Sequence, residues 1–243
     1  MTAVPESARQ APATAVEQAA DQIGEHLAEM FAEAKPRLRG WLHAATAPLT
    51  LAAGAVLVAL SPTASSRVGS AVFATSALLL FTVSAVYHRG HWSPRVWAAL
   101  RRFDHANIFL LIAGSYTPFT LLLLDGTDRV VLLGVVWAGA ALGMAFRVCW
   151  LGAPRWLYLP IYLGLGWTAV FFFGDFVRSA GTAVLVLLAV GGLLYTLGGV
   201  VYGVQRPNPS PRWFGFHEVF HSLTIVAFVA HYVGLSIATY SLR

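Results

Sequence analysis

Charged residues are scarce in this chain of 243 residues, making up 11% of it, whereas 57% of the residues are hydrophobic. A soluble domain of ordinary composition contains about 25% charged residues. The mean hydropathy is correspondingly high, at +0.66. The composition therefore predicts an integral membrane protein and leaves no length for a large soluble domain.

Cysteine is almost absent. Cys149 is the single cysteine, which excludes an intrachain disulfide and a four-cysteine zinc site. Residues 1–40 also lack the apolar core of a cleavable signal peptide. The formal net charge of +5 could suit nucleic acid, but the basic residues lie between apolar runs. We interpret them as topology signals and expect no nucleic-acid partner.

Seven apolar runs are each long enough to cross a bilayer, for which a helix needs about 20 residues. They cover roughly 41–60, 68–88, 105–124, 130–149, 156–176, 180–203 and 215–238. The pattern predicts an all-α fold, a seven-transmembrane helix bundle formed by residues 40–243 and preceded by a cytoplasmic arm, residues 1–39. Pro48, Pro118 and Pro160 lie within the runs and predict kinks, which can open a cavity in a bundle.

The lysine and arginine residues between the runs predict the orientation of the bundle. With the N-terminus in the cytoplasm, twelve of the 16 basic residues fall on the inner side. The outer side then holds Arg67, Arg129, Arg178 and Arg243. We therefore expect a multi-pass protein of the plasma membrane with its N-terminus inside and its C-terminus outside.

The N-terminal arm is predicted to be disordered up to about Thr14 and helical from about Val16 to Ala34, where an apolar stripe has helical spacing. An acidic residue recurs at every fourth position of this segment, at Glu17, Asp21, Glu25, Glu29 and Glu33. We hypothesise that this acidic stripe docks against the basic inner loops that carry Arg95, Arg101 and Arg102. The alternative is a solvated charged face.

Ionisable residues from three distant parts of the sequence are predicted to meet at the inner end of the bundle. The second run ends inside at His88, the third begins inside at Asp104 and His105, and the seventh begins with His217-Glu218-Val219-Phe220-His221. The two histidines of that string are four residues apart and share one helix face. Because ionisable groups in or beside spans are costly, their convergence predicts a functional site.

Three imidazoles at one depth favour a zinc site, because catalytic zinc commonly has three protein ligands and a water. We predict that His88, His217 and His221 bind Zn²⁺ and that Asp104 holds and deprotonates the metal-bound water. Ser84 lies one turn before His88 and could orient that ring or bind the substrate. Other divalent metals that prefer nitrogen ligands stay open.

The remaining histidines allow simpler interpretations. His26, His43 and His91 are interpreted as boundary residues or satisfied hydrogen-bonding groups. His105 points about 100° away from Asp104 around the helix, which favours a structural role. His231 lies about 15 Å beyond His221 along the helix, so we interpret it as a packing group of the bundle interior.

The acidic residues and the serine also have alternatives. Asp104 could be the N-cap of the third span. Ser84 could donate a hydrogen bond within its own helix. Glu218 could act as the base of a zincin-type protease, or it could be a charge that faces the inner loop.

At these residues the chain resembles the hemolysin III family, the bacterial branch of the progestin and adipoQ receptor (PAQR) proteins. The similarity is carried by Ser84-xxx-His88, Arg102-Phe103-Asp104-His105, Ala113-Gly114-Ser115-Tyr116-Thr117-Pro118 and Phe216-His217-Glu218-Val219-Phe220-His221. It covers about residues 40–243. Alkaline ceramidases share the arrangement of serine, histidine, aspartate and paired histidines.

The resemblance implies a zinc ion held by three histidines near the cytoplasmic face, here His88, His217 and His221, with Asp104 contacting the zinc-bound water. It also implies hydrolysis of lipid amides, chiefly ceramide-like substrates, or a receptor role as in eukaryotic members. The bacterial branch takes its name from a cytolytic activity and has been linked to membrane lipid and membrane-energy homeostasis. A shared site does not determine the substrate.

Three functions therefore compete. The first is a zinc-dependent hydrolase that acts on a membrane lipid, or a lipid-like amide or ester, at the inner edge of the membrane. The second is a zincin-like membrane protease that uses Glu218. The third is a non-enzymatic protein with a structural metal, either a cytolytic pore former or a receptor-like sensor. A pore would need a polar stripe through several spans, whereas the ionisable residues cluster at one end.

Overall fold

The computed structural model describes residues 36–242. The predicted arm helix, its docking onto the inner loops and His26 therefore lie outside the described residues. The last residues of the predicted arm, 36–39, are described and form a turn that leads into the first span.

The described chain is all-α, and seven of its helical segments are long and apolar enough to cross a membrane. Six of the seven spans are single helices, and the fifth is broken. In chain order the α-helices are α1 Trp41–Ala59, α2 Ala64–Arg89, α3 Pro94–Leu123, α4 Gly126–Cys149, α5 Arg155–Gly166, α6 Phe173–Ser179, α7 Thr182–Val204 and α8 Phe216–Tyr240. The fifth span, Arg155–Ser179, contains α5, a short 3₁₀ segment and α6. This confirms the seven-span bundle, while its orientation across the membrane stays a prediction.

The second, third and seventh spans form the centre of the bundle. Between 50% and 61% of the residues in their most apolar windows are buried, against 17% to 22% in the other four spans. The outer helices instead expose large apolar side chains, as lipid-facing helices do. The helices that carry the predicted site residues, α2, α3 and α8, are thus the ones best shielded from the lipid.

Close backbone contact fixes α2 against α3. A Cβ atom at Gly69 would lie 2.7 Å from the Cα atom of Pro118, and one at Gly114 would lie 2.6 Å from the Cβ atom of Ser76. Both distances are too short for a side chain, so only glycine lets the two helices approach this closely. The packing sets the depth of His88 relative to Asp104.

The third helix begins at Pro94, eleven residues before the predicted start of the apolar run. Pro94 occupies the first helical turn, where its missing N–H is tolerated. The added turns carry Arg95, Arg101 and Arg102, and these charges interrupt the apolar pattern from which a span is recognised. Asp104 consequently lies in the interior of α3, so its interpretation as an N-cap is wrong.

The fifth span is interrupted in its middle. The α5 helix ends at Gly166, and the chain continues as a 3₁₀ segment, Thr168–Phe172, before α6 begins. The prolines that predict kinks, Pro48, Pro118 and Pro160, all lie inside α-helices. The break falls after Gly164 and Gly166, where the backbone has the least resistance to leaving α-helical geometry.

Candidate metal centre

The end of α2 and the first turns of α8 bring three histidines together. His88 lies in the last turn of α2, and His217 and His221 lie one turn apart on α8. One ring nitrogen from each of the three lies within 4.8 Å of the others. His88 and His221 are buried, and His217 is half-buried. The end of the bundle where they meet is called the histidine end below.

The spacing of the ring nitrogens is suited to a zinc ion. The Nε2 atoms of His88 and His217 are 3.2 Å apart. Two nitrogens bound to one tetrahedral zinc at 2.0–2.1 Å are about 3.3 Å apart. The residues present therefore fit the metal predicted from the sequence, although zinc itself stays a prediction.

Asp104 and Ser84 stand beside the histidines. The Oδ2 atom of Asp104 is 3.9 Å from Nε2 of His88, and the carboxylate is 14% exposed. Ser84 and Asp104 both line the cavity next to the histidines, and the Ser84 hydroxyl interacts with the Asp104 carboxylate. A carboxylate next to three imidazoles has the chemistry of a proton acceptor.

A cavity of about 460 Å³ leads from the histidine end into the bundle, between α3, the fifth span, α7 and α8. The near end is lined by Ser84, Asp104, His217 and His221, and the walls beyond them are mainly apolar. Val170, Phe173 and Leu193 line the cavity and are also 54%, 63% and 57% exposed. The wall is therefore one side chain thick between the broken fifth span and α7.

His43 is not a boundary residue, and that interpretation is wrong. Its side chain is 2% exposed. Its ring stacks on His221 with centroids 3.8 Å apart and planes at 12°, and it meets Phe81 edge-on. Neither ring nitrogen has a hydrogen-bond partner among residues 36–242. A sequence shows His43 only near the start of a span, whereas its burial depends on how α1 packs against α8.

His91, His105 and His231 lie outside the three-histidine cluster. The Nδ1 atom of His105 donates to the carbonyl of Arg101, 2.7 Å away, which is the structural role expected of it. The Nε2 atom of His231 lies 3.3 Å from the carbonyl of Leu188, in the bundle interior as predicted. His91 is exposed in the loop after α2, as expected for a boundary residue.

Glu218 is turned away from the cavity and is only 1% exposed. One carboxylate oxygen accepts from Nε of Arg39, and the other accepts from the backbone N–H of Gly215 at 2.8 Å. Glu218 thus caps α8 and ties it to the segment before α1. Glu218 also does not line the cavity, which leaves the zincin interpretation without a water-facing base.

The segment before α1 forms a strap across the start of α8, defined here as residues 36–39. The N–H groups of Arg37 and Leu38 donate to the carbonyls of Arg212 and Trp213, at 3.0 and 3.2 Å. The Arg37 guanidinium also lies 4.7 Å from the centre of the Trp213 ring. Together with the Arg39–Glu218 pair, the strap fixes the helix turn that carries two of the three clustered histidines.

A model of the haemolysin-III related family matches residues 31–232, a stretch that includes all three clustered histidines, Ser84 and Asp104. The chain belongs to the haemolysin-III related family. Membership, together with the seven spans, identifies a multi-pass membrane protein, consistent with the plasma membrane.

Individual relatives agree with the family. The chain is 34% identical over 154 residues to a hemolysin-3 homolog of Bacillus subtilis (strain 168), which covers 63% of this chain and 69% of the relative. It is 31% identical over 140 residues to hemolysin-3 of Bacillus cereus, and the match covers 58% of this chain and 64% of that relative. The chain is also similar to an adiponectin receptor protein of Drosophila melanogaster, with 29% identity over 157 residues. That match covers 56% of this chain and 34% of the receptor protein.

The Glu218→Gln variant of this family member is expected to fold less stably. Removing one partner of a buried ion pair typically costs about 3 kcal/mol, because the other charge is left uncompensated. Arg39 is 19% exposed and can regain some water, so the loss is expected at or below that figure. Thermal unfolding of the detergent-purified protein measures it.

Asp128→Asn, the same chemical change at an exposed carboxylate, is the control and should leave the unfolding temperature unchanged. The double variant Arg39→Gln/Glu218→Gln should recover part of the loss, because neither member is then left charged. A Glu218→Gln protein with unchanged stability and no activity would instead support the protease interpretation.

Proposed function

We propose that the protein is a zinc-dependent hydrolase of a lipid amide or ester. The observation that carries the proposal is the placement of a three-histidine cluster, with Asp104 and Ser84 beside it, at one end of a largely apolar cavity. A lipid chain fits the apolar length, and the group to be cleaved lies at the polar end. Under the predicted orientation, that end is the cytoplasmic one.

Three residues would hold the metal, and the cavity residues would carry out the rest. His88, His217 and His221 bind the zinc, which when bound supplies a Lewis acid for the water and the substrate carbonyl. Asp104 accepts the proton of the attacking water at Oδ2 and returns it to the leaving amine or alcohol. Ser84, which interacts with the Asp104 carboxylate, would donate a hydrogen bond to it and keep it oriented toward the cluster.

The geometry also supports exclusion of bulk water from the reacting groups. Asp104 is 14% exposed and His221 is 3% exposed, so the reaction centre is shielded on the side of the bundle. Electrostatic interactions are stronger in such surroundings than in water. The apolar cavity would hold the lipid chain, which positions the carbonyl without any charged contact along its length.

The test begins with elemental mass spectrometry of the detergent-purified protein, where about one zinc per chain is expected. The loaded protein is then incubated with ceramide, an N-acyl amino acid and a phospholipid ester, and released fatty acid is measured by mass spectrometry. A chelator-treated sample of the same preparation is the control. Stoichiometric zinc without turnover of any lipid would contradict the hydrolase.

A receptor-like sensor with a structural metal is the second candidate. The similarity to an adiponectin receptor protein favours it, although the chain covers only 34% of that relative. The two candidates differ in turnover, since a sensor binds a lipid in the cavity and releases it unchanged. Recovery of intact lipid after prolonged incubation with zinc-loaded protein would favour the sensor.

A further inference from the structure

A second polar cluster lies in the same cavity, deeper in the bundle than the histidine end. It consists of Ser115 on α3, Tyr195 on α7 and His231 on α8, and all three side chains line the cavity. The rings of Tyr195 and His231 have centroids 5.5 Å apart. Ten residues of α8 separate His231 from His221, which places this cluster about 15 Å from the histidine end. We call it the deep cluster.

Each member of the deep cluster has a buried polar atom without a hydrogen-bond partner among the described residues: the Ser115 Oγ, the Tyr195 hydroxyl and the His231 Nδ1. The tautomer of His231 follows from its other nitrogen. Nε2 lies 3.3 Å from the Leu188 carbonyl, which can only accept, so Nε2 carries the hydrogen. Nδ1 is thereby left as an acceptor in a cavity that is also lined by the hydroxyl groups of Ser115 and Tyr195, which can donate or accept.

Other hydroxyl groups on the cavity wall do have partners. Thr224 donates to the Phe220 carbonyl at 3.0 Å, and Thr196 donates to the Gly192 carbonyl at 2.8 Å. The Ser115 hydroxyl could likewise donate to a backbone carbonyl one turn back on α3, but it has no partner there. Thr117, on the same helix, does donate to the carbonyl of Ala113. Thr50, Thr120 and Thr239 also lack a partner among the described residues, but they do not line the cavity. Ser115 and Tyr195 thus combine an unpartnered hydroxyl with a position on the cavity wall.

Buried polar groups without partners are destabilising, and they are rare unless a ligand or an ordered water completes them. We propose that the deep cluster binds a hydroxyl group on the hydrocarbon chain of the lipid whose carbonyl lies at the histidine end. The hydroxyl would donate to Nδ1 of His231 and accept from Tyr195 or Ser115. This substrate class, a lipid hydroxylated within its chain, rests on the proposed function.

The separation of the two clusters predicts where the hydroxyl lies on the chain. An extended chain advances about 1.2 Å per bond, judged from about 3.6 Å for the three bonds of a residue. A distance of about 15 Å between the clusters then corresponds to about twelve bonds. The His231 ring is held in place, because a Cβ atom at Gly191 would be 2.3 Å from its Cδ2 atom.

Binding of two fatty acids to the zinc-loaded wild type tests the proposal: stearic acid and stearic acid hydroxylated on its twelfth carbon. The acid hydroxylated on its twelfth carbon should bind about 10-fold more tightly than stearic acid. The reason is that its hydroxyl group would form two hydrogen bonds with side chains that otherwise have no partner. Stearic acid hydroxylated on its second carbon is the ligand control and should show no such gain. Equal binding of all three acids would overturn the proposal and assign the deep cluster to ordered water.

Variants separate hydrogen bonding from shape. Tyr195→Phe and Ser115→Ala should each reduce the preference for the hydroxylated acid, whereas Thr224→Val, which removes a hydroxyl already satisfied in the same cavity, should keep it. Without lipid, Tyr195→Phe should unfold at the wild-type temperature or above it, because it removes an unsatisfied polar atom. An undiminished preference in both cluster variants would also overturn the proposal.

The readout is binding, so the outcome is independent of catalysis. Absence of hydrolysis with the preference intact would contradict the proposed function alone. Hydrolysis of lipids without any preference for the hydroxylated acid would contradict the deep cluster's role alone.

Discussion

The His88→Ala variant is expected to lose its zinc while the bundle stays folded. The wild type should contain about one zinc per chain and the variant less than about a tenth of that. A lost ligand should weaken binding by more than the 10–100-fold typical of residues that only support the ligands. Elemental mass spectrometry after gel filtration measures the metal, and circular dichroism measures the helical content.

His91→Ala is a matched control, because it removes a histidine three residues further on, exposed in the loop after α2. It should keep the wild-type metal content. The double variant His217→Ala/His221→Ala should lose the metal as completely as His88→Ala, since all three rings share one cluster. Full zinc content in His88→Ala would remove that residue from the site and with it the three-histidine arrangement.

The Asp104→Asn variant is expected to keep the metal and lose hydrolysis. Asparagine has nearly the same shape but cannot accept the proton of the attacking water, so turnover should fall by about 10²–10⁴-fold. The assay is release of fatty acid from the best substrate in the lipid panel, measured with metal content on the same sample. Because zinc stays bound, the loss cannot be attributed to an empty site.

Asp175→Asn makes the same chemical change at the other end of the bundle and should leave turnover unchanged. Ser84→Ala should have a smaller effect than Asp104→Asn, because it removes a group that orients the carboxylate rather than the carboxylate itself. A fully active Asp104→Asn protein would exclude this residue as the general base. It would leave the three histidines as a metal site of another function.

Much of the fold could be predicted because it depends on local composition. Seven apolar runs predict seven spans, and the alternating direction of successive spans places His88, Asp104 and His217 at one end before any contact is known. The start of α3 could not be predicted in the same way. Three arginines interrupt the apolar pattern of its first turns, so the start of the helix is seen only in the structure.

Contacts between distant segments could not be predicted from the sequence. The Arg39–Glu218 pair joins residues separated by 179 positions, and nothing in the sequence around Arg39 indicates Glu218 as its partner. The stacking of His43 on His221 depends on the rotation of α1. The deep cluster combines a serine, a tyrosine and a histidine from three helices, each of which has an ordinary packing interpretation when seen alone.

The strap has a consequence for how shortened versions of this protein should be made. A version that begins at Pro36 retains the backbone hydrogen bonds of Arg37 and Leu38 to the loop before α8. One that begins at Trp41 keeps all seven spans yet leaves the Glu218 carboxylate buried without its cation. The boundary for expression should therefore be set by the strap and not by the first apolar residue.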